Sequence, residues 1–234
     1  MSLSRALPTI LVAGAALAML AYGPIAQLQN YHAFADRRSW LGIPNAADVL
    51  SNIPFALVGL WALARRPAAL AWRVFDGALL LTALGSSYYH LAPDDARLVF
   101  DRLPIALACA ALLVAVYART DAPRHITLRL AALCAFAIAS VEWWRETGDL
   151  RPYLLLQGAP LLLIPLWQWR AHVPPRERVL FGLAVAAYVI AKALEAGDHA
   201  VYATLGFASG HTLKHLFAAA GAWLIVVARP RDAH

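Results

Sequence analysis

Apolar residues run along this chain in long unbroken windows, separated by short polar stretches that are rich in proline, arginine and aspartate. Eight windows stand out, at about 6–26, 47–64, 74–91, 102–118, 126–143, 152–169, 178–195 and 205–228. Each approaches the roughly 17–25 residues that a helix needs to cross a hydrocarbon core of about 30 Å. The punctuation agrees with them: Arg65-Arg66-Pro67, Ala92-Pro93, Asp121-Ala122-Pro123, Arg151-Pro152 and Val173-Pro174-Pro175 all fall between windows. Pro54, Pro104, Pro160 and Pro165 fall within windows or at their starts, where a membrane bundle tolerates a kink. The pattern predicts an all-α, polytopic transmembrane helical bundle forming a single integral membrane domain over residues 1–234. The first window has a basic start and small residues that also suit a signal peptide. No clean A-x-A site followed by a soluble domain appears, which favours a retained span.

Composition sharpens this picture. The chain has 234 residues, 61% hydrophobic and only 15% charged, against about 25% charged in a soluble domain. Cys109 and Cys134 lie inside apolar windows without CxxC spacing and read as small hydrophobes. The net charge of +6 comes with no basic tail and no nucleic-acid module, so nucleic acid is not an expected partner. Its distribution says more. With the N-terminus cytoplasmic, the inner segments hold Arg5, Arg65, Arg66, Arg73, Arg119, Arg124, Arg129, Arg170, Arg176, Arg178, Arg229 and Arg231. Of the acids, only Asp76, Asp121, Glu177 and Asp232 join them there. The others, among them Asp36, Asp48, Asp94, Asp95, Asp101, Glu142 and Glu195, fall outside. Eight spans with both termini inside satisfy the positive-inside rule. The expected location is a membrane, the bacterial inner membrane, with the lipid bilayer as partner.

Polar residues with chemistry then gather at the outer ends of the windows. The third ends in GSSYYH, where Ser86 and His90 are four apart and share a helical face. The fourth is expected to begin at Asp101, after a short turn. The eighth starts with FASGHTLKH, in which His211 and His215 are again four apart. Topology puts the end of the third window and the start of the eighth on one side at similar depth, where strongly polar groups tend to serve a site. Three imidazoles suit a catalytic zinc, with a fourth tetrahedral position left to water. On that reading Asp101 moves the proton of the attacking water, and Ser86 donates a hydrogen bond to the oxygen where charge develops.

Each feature also has a plain structural reading. Asp101 could cap the fourth helix, Arg102 would be an outward interfacial charge that snorkels, and Lys214 would point to headgroups or a neighbouring acid. Ser87 reads as a packing residue. Glu142 and Glu146 fit a solvated helix end, and Tyr88, Tyr89, Trp143 and Trp144 fit either interface anchors or walls for an acyl chain. His32 and His199 rank below the three named histidines as ligands, and His125 and His172 fall on the inner side. His234 has no evident role.

GSSYYH, then Asp101 in DRLP, then GHTLKH, together with NAADVLSNIPF, resemble the alkaline ceramidase family and its wider superfamily of membrane zinc hydrolases. The similarity covers residues 30 to 228. It implies a seven-helix core, here 47–228, with 6–26 as an additional N-terminal helix. It further implies zinc held by His90, His211 and His215, Ser86 and Asp101 completing the catalytic set, and hydrolysis of the amide of ceramide-like membrane lipids to a fatty acid and a sphingoid base. Eukaryotic members also carry Ca²⁺ near their N-terminal region. The matching segment here offers Asn45, Asp48 and Asn52, with Asp36 contributing, as a second metal site or a structural polar site, but lacks the dense acidic cluster. Where the family has an acidic residue after the catalytic aspartate, this chain has Arg102.

Other functions remain open on these residues. An esterase would use the same site, a receptor or metal-dependent scaffold would share the helices without turnover, and a transporter would also bury polar groups. Against the transporter, polarity concentrates near one face and no paired broken helices appear.

Overall fold

A computed structural model describes residues 3–65, 69–120 and 123–229. Arg66, Asp121, Arg231, Asp232 and His234 lie outside the described residues, as does the side chain of Arg5. The described chain is all-α, in keeping with a helical bundle, with ten helices and no strand: α1 (Leu3–Tyr22), α2 (Ala46–Leu50), α3 (Ile53–Ala64), α4 (Leu70–Leu91), α5 (Asp95–Tyr117), α6 (Ile126–Thr147), α7 (Arg151–Arg170), α8 (Pro175–Ala196), α9 (Asp198–Leu205) and α10 (Gly210–Ala228).

Five of these segments are long and apolar enough to cross a membrane: Ala46–Ala64, which joins α2 and α3, and α5, α6, α8 and α10. The apolar stretches of α6 and α8 are only 22% buried within the protein. Side chains such as Leu128, Val179 and Leu183 therefore face outward, a surface that suits hydrocarbon better than water. Three predicted spans fall short of that standard. In α1 the apolar stretch is shorter, at Ala6–Tyr22, and α4 and α7 are long but not among the five.

Two compact units make up the chain. The first contains Met1–Gln29, Ala69–Phe75 and Ala106–Val173; the second contains Asn30–Ala68, Asp76–Ile105 and Pro174–His234. In the first, α7 packs against α1 and α6. Its buried polar anchor is Asp149, between α6 and α7, whose carboxylate accepts from the Ile25 amide at 3.1 Å, from the Trp143 indole at 3.2 Å and from Arg151 at 2.8 Å. The Arg151 guanidinium holds the Asp149 carboxyl well below the usual carboxylate range. Glu142 and Glu146 belong to this unit and pair with the exposed Arg145, the solvated arrangement expected of a helix end. His125 and His172 also lie here, both at positive φ.

The second unit holds α2, α3, α8, α9 and α10 with parts of α4 and α5. Its dominant packing is α10 on α8, where Gly221 lets the helices close: a Cβ there would stand 3.3 Å from the Ala184 carbonyl oxygen. Trp61 of α3 stacks on Trp223 of α10 at 4.5 Å between ring centroids. Asp76 of α4 is ion-paired with Arg229, just past α10.

Several boundaries differ from the expected ones. The second window is two helices, since Ser51 and Asn52 form a turn between α2 and α3. The fourth begins at Asp95, where the Asp94 carboxylate accepts the Arg97 amide at 2.7 Å in the manner of an N-cap. Asp101 therefore sits in the second turn of α5 and caps nothing. The eighth begins at Gly210, with Ser209 accepting the Thr212 amide at 3.0 Å, and the residues before it form α9.

Candidate metal centre

His90 sits at the last turn of α4, and His211 and His215 sit on the first two turns of α10. All three belong to the second unit and are buried. Their candidate ligand nitrogens lie within 4.8 Å of one another, so the group could hold a metal ion. The Nε2 atoms of His90 and His211 are 3.2 Å apart, and the ring centroids of all three histidines are 4.8–5.0 Å apart. Two nitrogens bound tetrahedrally at about 2.0–2.1 Å to one zinc stand roughly 3.3 Å apart, so the His90–His211 separation fits. A single proton between two facing Nε2 atoms satisfies them as donor and acceptor only, whereas a cation uses both lone pairs. His90 Nδ1 is buried without a hydrogen-bond partner among the described residues.

The helix ends are brought together by identifiable packing. Gly85 allows α5 to approach α4: a Cβ on it would stand 1.9 Å from the Phe100 carbonyl oxygen and 3.5 Å from the Asp101 amide nitrogen. That closeness puts the Asp101 carboxylate within hydrogen-bonding reach of the Ser86 hydroxyl, one helical turn before His90. The hydroxyl donates and the carboxylate accepts, so Ser86 orients Asp101. Gly210 does the same for α10, where a Cβ would stand 2.1 Å from the Leu194 carbonyl oxygen and 2.8 Å from the Asp198 Cα.

Asp198 itself is a residue that sequence reasoning missed. One carboxylate oxygen accepts the His211 amide at 2.7 Å and the other the Ala35 amide at 2.8 Å. It satisfies an N–H left over at the start of α10 and fastens the 30–45 segment. His199 donates to the Ala33 carbonyl at 2.8 Å. Between these ties Phe34 packs its ring on His90 at 4.7 Å and on His211 at 4.3 Å between centroids.

The four residues proposed for a second metal or polar site take separate roles. Asp36 is buried and salt-bridged to Arg38 at 2.7 Å, which lowers its pKa. Asn45 stands at the N-cap of α2 without making the capping bond; its amide instead donates to the His90 carbonyl at 2.8 Å, an acceptor the end of α4 leaves over. Asp48 accepts from Thr212 at 2.6 Å and from Ser209 at 3.5 Å, both at the start of α10. Asn52 donates to the Asp48 carbonyl at 2.9 Å. Asp48 Oδ2 and Asn52 Oδ1 are buried without hydrogen-bond partners among the described residues.

Among the neighbours, Arg102 departs from expectation and Lys214 does not. Arg102 is 4% exposed, not an outward charge, with its guanidinium 5.2 Å from the Tyr31 ring centroid. Lys214 reaches the neighbouring acid Glu195 at 2.9 Å. Tyr89 is wholly buried and bonds His32 Nδ1 at 2.8 Å, and His32 Nε2 lies 3.1 Å from Asp95, so His32 faces these partners instead of the imidazole cluster. Ser87 bonds the Val49 carbonyl at 3.1 Å.

No family model matches the chain, and no curated protein matches it.

Proposed function

We propose that this protein is a zinc-dependent membrane hydrolase that cleaves the amide bond of ceramide-like lipids, releasing a fatty acid and an amine. The reading is carried by three buried imidazoles from two helices beside a hydrogen-bonded carboxylate and hydroxyl, Asp101 and Ser86. A zinc ion held by His90, His211 and His215 would supply Lewis acidity, lowering the pKa of water and polarising a carbonyl. Amide hydrolysis forms one C–O bond and breaks one C–N bond; it takes a proton from water and gives one to the leaving nitrogen. Asp101 performs both transfers, and Ser86 holds its carboxylate in place. To donate to the developing oxyanion instead, the Ser86 hydroxyl must rotate away from Asp101. The outward apolar faces of the helices suit a substrate arriving from the lipid, and on our reading the site faces the outer side of a bacterial inner membrane with both termini inside, an orientation that the acidic Asp94–Asp95 turn supports.

The test is metal analysis of the purified protein, joined to a mass-spectrometric screen of matched lipid amides and esters. The expected result is one zinc per chain and fatty-acid release that stops on chelation and returns with zinc. Zinc-free protein, or zinc-loaded protein that cleaves neither bond, overturns the proposal. Faster cleavage of the ester makes the protein an esterase using the same site.

A further inference from the structure

The one-turn helix α2 sits beside the ligand-bearing helix α10, and its last contact is the most informative. The Ser51 hydroxyl oxygen lies 2.7 Å from His215 Nδ1 and 3.0 Å from the Asp48 carbonyl oxygen, with all three residues buried. A serine hydroxyl has one hydrogen and two lone pairs. The carbonyl can only accept, so that hydrogen is committed to Asp48. At the shorter contact the oxygen is then the acceptor, and the hydrogen between Ser51 and His215 belongs to Nδ1.

We infer that Ser51 is a positioning residue that locks His215 in its Nδ1–H tautomer, leaving the Nε2 lone pair for a metal ion. A free neutral imidazole divides its proton between the two nitrogens, and the hydrogen bond at one decides which is available for ligation. Here the decision passes from a main-chain carbonyl through a hydroxyl to the ring. The carbonyl is held in turn, since the Asp48 side chain ties α2 to Thr212 and Ser209 at the start of α10. The same short helix therefore sets both the position of α10 and the ring state of its second histidine. The metal-binding part of this inference rests on the proposed zinc site; the tautomer does not.

The experiment uses the full-length protein in detergent, with ¹⁵N-labelled histidine, and has two readouts. Long-range ¹H–¹⁵N correlation of the metal-free protein, with His215 assigned by its loss in His215→Gln, reports the tautomer directly. Competition for Zn²⁺ with a chromophoric chelator reports affinity. Nδ1–H at His215 in the wild type is expected, with a mixture of tautomers and about 10–100-fold weaker zinc binding in Ser51→Ala. Ser51→Thr, which keeps the hydroxyl, should restore both. Nε2–H in the metal-free wild type overturns the inference, with no variant needed. So does Ser51→Ala with unchanged tautomer and unchanged zinc affinity. A wild type showing Nδ1–H but binding no zinc overturns the zinc site and leaves the tautomer lock standing.

Discussion

Two polar clusters in this protein are built on opposite principles. At Asp149 in the first unit, both carboxylate oxygens are occupied, by the Ile25 amide, the Trp143 indole and Arg151. Around the three histidines of the second unit, His90 Nδ1, Asp48 Oδ2 and Asn52 Oδ1 are buried without hydrogen-bond partners among the described residues, and two ring nitrogens face each other across 3.2 Å. Burying a polar atom without a partner costs free energy, so the first cluster is a joint and the second carries a cost that binding can offset. Removing a side chain should accordingly cost stability at one and chemistry at the other.

The sharpest break of that contrast is His90→Ala. It should abolish zinc retention, measured by metal analysis, and reduce lipid-amide hydrolysis to background. Protein that keeps its zinc and loses only thermal stability would put the histidine cluster in the same class as Asp149. Asp101→Asn comes next: zinc content stays at the wild-type value while kcat falls by about 10²–10⁴-fold, read from fatty-acid release. Gly85→Ala tests whether α4–α5 packing places the acid. The added Cβ has to displace the Phe100 carbonyl, so a loss of about 1–3 kcal/mol and about 100-fold in kcat is expected in denaturation and rate measurements, with zinc retained.

The smallest effect is expected at Asp149→Asn, a drop of about 5 °C in Tm with zinc content and activity per folded molecule unchanged. The pH dependence follows from the lowered pKa. The folded state holds this carboxyl ionised below the unfolded value near about 4. Its stabilisation is therefore complete above that value and is lost as pH falls through the lower folded value. Melting scans from pH 6 downward should show the wild type losing its advantage over Asp149→Asn below about pH 4.

The parts legible in the sequence are those written in local spacing. The i,i+4 steps Ser86–His90 and His211–His215 put each pair on one helical face, and the apolar windows located most helices. Asp101 was found as a neighbour of Ser86, but the start of its helix was misplaced, because the Asp94–Arg97 cap lies in a polar stretch with no apolar pattern. Ser51, Asp198 and Phe34 were missed. Their partners are His215, His211 and His90, separated in sequence by 164, 13 and 56 positions, and hydrogen bonds or ring contacts at such separations leave no periodic trace. The available signals were Gly85 and Gly210, small residues inside or beside chemistry-bearing runs, where two backbones come too close for a Cβ. Asp48 shows the converse: the resemblance offered it to a second metal site or a structural polar site, and one of its oxygens serves the first turn of α10.

Phe34 has a consequence for timing. Its ring covers two of the three imidazoles, and the residues on either side of it are fastened to α9 through Asp198 and His199. Whatever reaches or leaves the imidazoles by that side has to wait for a benzyl shutter to lift. Trapping and escape on that side would then slow together, with the equilibrium between them left unchanged.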